Sequence, residues 1–256
     1  MNLSKEKKIL LSASKNAGKL VLKYFGKNEK GKEKSNKSLV SKADLEANKL
    51  IIQAIKKSFP KHSILSEETG FEDNNSDYKW VIDPIDGTHN FLRGIPIFGV
   101  SIALEYKNEV VLGALEFPTL RLTAFAEKEK GAFLNGKRLK VSDNKDITHS
   151  FILYEFAPGT RHKALELLKR LSHETINIRN FGAAIYGLLS VACGQCDVFV
   201  IFSTHEWDIA AGMLLVQEAG GKAYDSRGNP VSPSNENFVF SNSSIQGTIL
   251  RYLHEI

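Results

Sequence analysis

The period of the apolar residues changes twice along the chain, and those changes restrict the fold more than any other feature. Ile9, Leu10, Ala13, Ala17, Leu20, Val21 and Tyr24 recur at helical spacing, which predicts a helix over roughly Ser4 to Phe25 that ends at Gly26. Ser41 and Asp44 form an S-x-x-D capping signature for a second helix, whose apolar stripe of Leu45, Ile52, Ile55 and Phe59 stops at Pro60. The pattern then shortens to strands over Ser63–Ser66, Tyr78–Asp83, Phe98–Leu104, Val110–Phe117 and Leu122–Ala126. Asn135-Gly136 marks a tight hairpin turn. This half reads as two helices laid on a largely antiparallel sheet.

After about Lys140 strands and helices alternate: strand Phe151–Phe156, helix Arg161–Leu171, strand Thr175–Ile178, helix Gly182–Cys193, strand Val198–Phe202 and helix Trp207–Ala219. A final strand and helix follow the glycine stop at Gly220-Gly221. Alternation of this kind implies an α/β arrangement. The expectation is an α+β subdomain over residues 1–140 and an α/β subdomain over residues 141–256. With no linker or internal repeat between them, they should form one compact unit.

Of the 256 residues, 42% are hydrophobic and 25% charged, which excludes disordered and membrane classes. The longest apolar runs, Val198–Phe202 and Ile209–Val216, fall far short of the roughly 20 residues that cross a bilayer. Charges spaced through the N-terminal stretch do not match the unbroken apolar core of a signal peptide, so a cytoplasmic location is expected. Cys193 and Cys196 have C-x-x-C spacing, but neither a second pair nor nearby histidines complete a zinc site, and buried thiols at a helix end are expected. The net charge of +5 favours anionic partners. Much of that surplus sits in Lys27, Lys30, Lys32, Lys34 and Lys37, read either as a solvated loop or as a basic flap over a phosphate site.

The segment Trp80–Phe91 runs from an apolar strand into a sharp turn and a short helix. Asp83 and Asp86, three residues apart across Pro84, can direct both carboxylates into one pocket. Such oxygens suit Mg²⁺, a hard cation held through a few carboxylates, waters and a substrate phosphate. Gly87 and Thr88 follow where backbone N–H groups at a helix start can hold a phosphate. Taken alone, D-P-x-D-G-T is also an ordinary turn, and an Asp at a helix start can merely cap it. Glu67-Glu68 after a short strand and Asp208 at another helix start add acidic positions to the same chain.

Together these segments resemble the inositol monophosphatase family, within the superfamily of lithium-sensitive, magnesium-dependent phosphatases. The signature parts are an upstream Asp, an E-E pair, D-P-[ILS]-D-[GS]-T and W-D-x-A-A-G. They stand here in order as Asp44, Glu67-Glu68, Asp83–Thr88 and Trp207–Gly212. The resemblance extends through Ile95–Ala103, Gly131–Gly136 and Glu218–Gly221.

It implies a layered α-β-α-β-α sandwich, as in the inositol monophosphatase and fructose-1,6-bisphosphatase fold, a homodimer, and two or three Mg²⁺ ions. Glu67, Asp83 and the carbonyl of Ile85 would hold one ion, and Asp83, Asp86 and Asp208 a second. Paired ions can activate a water and stabilise the leaving oxygen. Glu67 and Thr88 would orient and deprotonate that water, the N–H groups of Gly87 and Thr88 would hold the phosphate, and Asp44 would support a third ion or the water near Glu67. Arg179, with Gly182-Ala183-Ala184 after it, resembles the family's R-x-x-G-[ST]-A segment, which places Arg179 and Ala184 at substrate or dimer contacts.

Two departures bear on the substrate. Members acting on inositol phosphates commonly carry a Glu seven residues before the W-D-x-A-A-G Asp, and Ile201 stands there. An apolar side chain accepts no hydrogen bond from a hydroxyl. Glu206 is a candidate to take over part of that role, or a solvated residue. His89-Asn90-Phe91 follows D-G-T where inositol-phosphate members often have Thr-Asn-Phe, and His89 reads as structural or as a substrate contact. The resemblance thus implies a small inositol- or sugar-phosphate substrate, with fructose 1,6-bisphosphate and 3′-phosphoadenosine 5′-phosphate as alternatives. A transcription-antitermination role, known in some bacterial relatives, is the alternative of another class.

Overall fold

The computed structural model describes residues 2–27, 31–33, 39–233, 235 and 237–253. Lys30, Lys34 and Lys37 of the basic segment lie outside the described residues.

Helix α1 (Ser4–Leu22) buries Leu10, Ala13, Ala17 and Val21, one stripe at helical spacing. A two-strand ribbon, β1 (Lys32–Glu33) and β2 (Leu39–Val40), precedes α2 (Lys42–Ser58). Ser41 and Asp44 close the expected capping box at the start of α2. The buried stripe of α2 is Ala43, Ala47, Ile51 and Ile55. Leu45, expected in it, is 53% exposed, because the small alanines, not the leucine, face the layer beneath.

The first sheet contains β3 (Ser63–Ser66), β4 (Gly70–Glu72), β5 (Tyr78–Asp86), β6 (Gly99–Tyr106), β7 (Glu109–Phe117), β8 (Leu122–Glu127), β9 (Gly131–Leu134) and β10 (Lys137–Arg138), with α3 (Thr88–Leu92) between β5 and β6. Its strand order is β10-β9-β8-β7-β6-β5-β3-β4, and only β3 and β5 run parallel. Asn135 and Gly136 both take positive φ in the β9–β10 hairpin, as the Asn-Gly signal requires.

The second sheet is built from β11 (Ile152–Phe156), β12 (Ile178–Arg179), β13 (Val198–Phe202), β14 (Gly221–Tyr224) and β15 (Asn237–Asn242), in the order β12-β11-β13-β15-β14. Between its strands come α4 (Arg161–Leu171), α5 (Ala184–Ala192) and α6 (Glu206–Glu218), and α7 (Gln246–Leu253) follows them. The alternating pattern yields parallel pairing for β12, β11 and β13 only. After α6 the chain returns through β14 and β15, which pair antiparallel.

Strand alternation sorts these elements into five layers. Trp80 and Ile82 of β5 pack with α1 and α2 on one face of the first sheet. Val81, between them, turns to the opposite face and joins Ile185 and Leu188 of α5, Leu215 of α6 and Phe199 of β13 in the central core. Val198 and Val200 point away from that core and pack with Leu167 of α4 and Ile249 of α7. The order is α1–α2, eight-stranded sheet, α5–α6, five-stranded sheet, α4–α7, the expected α-β-α-β-α sandwich. Each fully buried aliphatic side chain contributes about 1.5–3 kcal/mol to holding the layers together.

Helix α6 lies unusually close to the first sheet. A Cβ on Gly113 of β7 would stand 2.7 Å from the carbonyl oxygen of Ala211, so only glycine admits the helix backbone there. This contact sets the depth at which the N-terminus of α6 meets the end of β5.

Candidate active site

Residues three apart on a regular strand point to opposite faces. Asp83 and Asp86 escape that rule because β5 carries a bulge: Asp83 pairs with Ser101 and Asp86 with Gly99, so three steps on β5 match two on β6. Pro84, which has no N–H for the ladder, stands inside the irregular stretch. Both carboxylates therefore face the α5–α6 layer. Asp83 Oδ1 accepts from the N–H of Ile85 at 2.9 Å. Asp86 accepts from the N–H groups of Ala184 and Ile185, each at 3.2 Å, at the N-terminus of α5.

Asp208 arrives from the other side, in the first turn of α6. Its Oδ2 accepts from the Thr204 hydroxyl at 2.7 Å and from the N–H of His205 at 2.9 Å, an arrangement that caps the helix and also fixes the side chain. Asp83, Asp86 and Asp208 each offer a carboxylate oxygen, and those atoms lie within 4.8 Å of one another. Burial pushes the Asp83 and Asp86 carboxyls well above the usual carboxylate range. Nearby negative charge, chiefly from Glu67 at Asp83 and from Asp208 at Asp86, pushes in the same direction. Ionised together, the three need a compensating cation.

The upstream acids approach from α2 and β3. Glu67 follows β3, held by its N–H donating to the Ile82 carbonyl at 3.1 Å. Buried Asp44 accepts from the N–H and the hydroxyl of Ser41 at 2.8 and 2.5 Å. Burial raises its carboxyl to about 6 despite those bonds. The Thr88 hydroxyl donates to the Ile85 carbonyl at 2.9 Å and lies 3.4 Å from Asp44 Oδ1, linking the two acidic regions. Gly87 precedes α3 with φ of 81°, and a Cβ there would come within 3.0 Å of the Ile97 carbonyl oxygen.

These elements enclose a cleft of about 390 Å³. Glu67, Asp86, Asp208 and Glu155 line it, with Gly87, Thr88, His89, Ala184, Ile201 and Trp207 among its other walls. No Lys or Arg is among the lining residues that the structure describes, so no permanently charged protein cation there neutralises either the acids or an incoming phosphate. The donor set is all oxygen, which fits a hard divalent ion.

The model of the inositol monophosphatase family matches residues 2–256. The chain belongs to the inositol monophosphatase family. A fructose-1,6-bisphosphatase/inositol-1-monophosphatase of Thermotoga maritima is 35% identical over 244 residues, covering 93% of this chain and 92% of that protein. Nus factor SuhB of Pseudomonas aeruginosa is 38% identical over 231 residues, covering 86% and 85%. Among solved structures, the extragenic suppressor protein suhB of Bartonella henselae superposes with a TM-score of 0.93 at 33% identity, covering 98% of this chain and 99% of that one.

In this family member the residues singled out from sequence divide into those at the cleft and those away from it. Glu67, Asp86, Gly87, Thr88, Ala184 and Asp208 line it, and buried Asp83 and Ile85 lie beneath. Ala184, expected at substrate or dimer contacts, lines the cleft while its N–H donates to Asp86. Arg179 is not among the lining residues. Its guanidinium donates to the carbonyls of Ile176 and Ile178 and lies over the Phe151 ring at 5.5 Å, because the edge strand β12 turns the side chain outward. His89 is exposed and lines the cleft, so it is not a core histidine. Both cysteines are free thiols, and burial pushes Cys193 up to about 11 and Cys196 to about 12.

Glu206 does not replace the carboxylate absent at Ile201. Lys79 holds it at 2.6 Å in a cluster with Glu105, and it does not line the cleft. Sequence reasoning missed Glu155. The available signal was an acid at an inward-alternating position of an otherwise apolar strand, Phe151–Phe156.

Proposed function

We propose that the chain is a magnesium-dependent phosphomonoesterase that hydrolyses a small inositol- or sugar-phosphate. The observation that carries this reading is the convergence of Asp83, Asp86 and Asp208 in a cleft whose described lining has no Lys or Arg. Residues 1–140 supply most of the metal and phosphate half of the site, and residues 141–256 complete it.

Asp83, Asp86 and Asp208 would hold one ion, and Glu67, Asp83 and the Ile85 carbonyl another, with Asp44 in reach of a weaker third. Bound there, Mg²⁺ supplies positive charge for the phosphate oxygens and acidifies water. The protein's own part is positional. Glu67 accepts the proton of the attacking water, and the Thr88 hydroxyl, tied to the Ile85 carbonyl, orients that water. The N–H groups of Gly87 and Thr88 hold a phosphate oxygen. Trp207 and Ile201 shield the reacting centre from bulk water.

Phosphate release from a panel of esters, with and without Mg²⁺, tests the reading. Wild type should turn over an inositol or sugar monophosphate only with the ion, and lithium should inhibit. Equal activity for wild type and for Asp208→Asn or Asp86→Asn would sink it, because each change removes a metal-binding charge. The same panel ranks fructose 1,6-bisphosphate and 3′-phosphoadenosine 5′-phosphate, and gel filtration reads the homodimer that the family resemblance implies.

The likeness to Nus factor SuhB supports a second reading, a transcription-antitermination role separate from catalysis. Binding of the purified protein to the transcription machinery, with rescue of a deletion phenotype by Asp208→Asn, would make that role the biological one.

A further inference from the structure

Among the described residues, Glu155 is the one carboxylate lining the cleft that neither the ion site nor the water-activating group uses. Its place follows from strand alternation. Ile152, Tyr154 and Phe156 of β11 pack on the outer core with α4 and α7, whereas Leu153 packs in the central core. Glu155 shares the face of Leu153. It pairs in register with Ile201 on the parallel strand β13, and the two side chains line the cleft together, near the carboxyl ends of both strands. Ligands of open α/β sheets bind at those ends.

Three observations restrict what this carboxylate does. It is not a member of the carboxylate triad formed by Asp83, Asp86 and Asp208. It is built into its position, because Asn180 Nδ2 donates to Oε1 at 3.2 Å. It also shares its wall with Ile201 and Trp207, whose apolar surfaces suit the carbon skeleton of a small alcohol.

An anionic wall repels phosphate, so the phosphate belongs at the ion site and an uncharged, hydrogen-donating group belongs here. Hydroxyls meet both demands, since an ionised carboxylate accepts and never donates. Resting on the phosphatase reading, we propose that Glu155 recognises the alcohol portion of the substrate, accepting hydrogen bonds from the hydroxyls of a polyol monophosphate. The wall disfavours a substrate that places a second phosphate against it. Burial, the main influence on Glu155, raises its carboxyl to about 7, so the wall is fully anionic only above neutral pH, where the test is run.

The test compares Glu155→Gln and Glu155→Asp with wild type on myo-inositol 1-phosphate and on phenyl phosphate, which has no hydroxyl, at several Mg²⁺ concentrations. Losing a hydrogen bond to a charged acceptor should lower kcat/KM of Glu155→Gln on inositol 1-phosphate by about tenfold or more. On phenyl phosphate the change should stay within about twofold, and half-saturating Mg²⁺ should not move. Glu155→Asp, which keeps the charge, should recover part of the loss and guards against a folding defect in the amide variant. Equal losses on the two esters, no loss on either, or a shifted Mg²⁺ requirement would overturn the assignment and leave the phosphatase reading standing. If wild type released phosphate from no ester, that reading would fall, and this one with it.

Discussion

Asp83 stands opposite Ser101 and Asp86 opposite Gly99, so the two acids share one face of β5 although they lie three positions apart. The bulge that aligns them also forces two buried like charges together, a strain that a bound cation relieves. Asp83→Asn keeps the acceptor for the Ile85 N–H while removing one of those charges. Phosphate release should fall about a thousandfold. Metal-free stability should move the other way, rising by about 1–3 kcal/mol at neutral pH. Thermal melts in EDTA, run beside the activity assay, check both signs; a variant less stable than wild type without metal would refute the repulsion argument.

Thr88 ties the end of β5 to Asp44 through one hydroxyl. Thr88→Val is close to isosteric, so stability should change by only about 1 kcal/mol. Activity should drop by about 10²–10⁴ if the hydroxyl orients the water, with Thr88→Ser retaining most of it. Single-turnover rates for the two variants separate the hydroxyl from the methyl.

Gly113 and Ala211 hold α6 against β7 at a distance that leaves no room for a Cβ. Gly113→Ala should cost about 1–3 kcal/mol in urea unfolding, because the obstacle is backbone and cannot rotate away. Displacing α6 also moves Asp208, so the Mg²⁺ concentration for half activity should rise. A stable variant with unaltered metal dependence would show that the close approach is not what places the acid.

Glu105 is buried beside Lys79, 2.8 Å away, and Lys79 also reaches Glu206 at 2.6 Å. Burial, the largest influence, raises the Glu105 carboxyl from 4.5 to about 7, and Glu206 adds to it while Lys79 opposes. The folded state thus holds a proton that the unfolded chain gives up earlier. That contribution to stability is lost as pH rises from about 4.5 to about 7 and stays level above. Glu105→Gln keeps the Lys79–Glu206 pair and should flatten the decline. Urea midpoints at several pH values between about 4.5 and about 7, at constant Mg²⁺, read the difference between the two slopes.

Much of the site was legible because its signals are local. Asp44 and Asp208 sit in the first turns of α2 and α6, where short-range capping patterns expose them. Asp83 and Asp86 flank a proline at the end of an apolar strand. The stripe of α2 was misplaced at Leu45, since a helical pattern of mixed large and small residues does not reveal which face the neighbouring layer covers. Strand Thr175–Ile178 became the two residues Ile178–Arg179, because an edge strand lasts only as long as its partner β11 offers pairing.

By itself the sequence determined the order of elements, the capped helix starts and the four acids Glu67, Asp83, Asp86 and Asp208, each written within a few neighbouring residues. Tertiary structure alone decided which acids share the cleft. Glu206, two residues from Asp208, is held away by Lys79 of β5, whereas Glu155 enters because β11 lies in register beside β13. The physical reason is that a carboxylate's role depends on the charges and faces opposite it, and strand pairing brings those from distant parts of the chain.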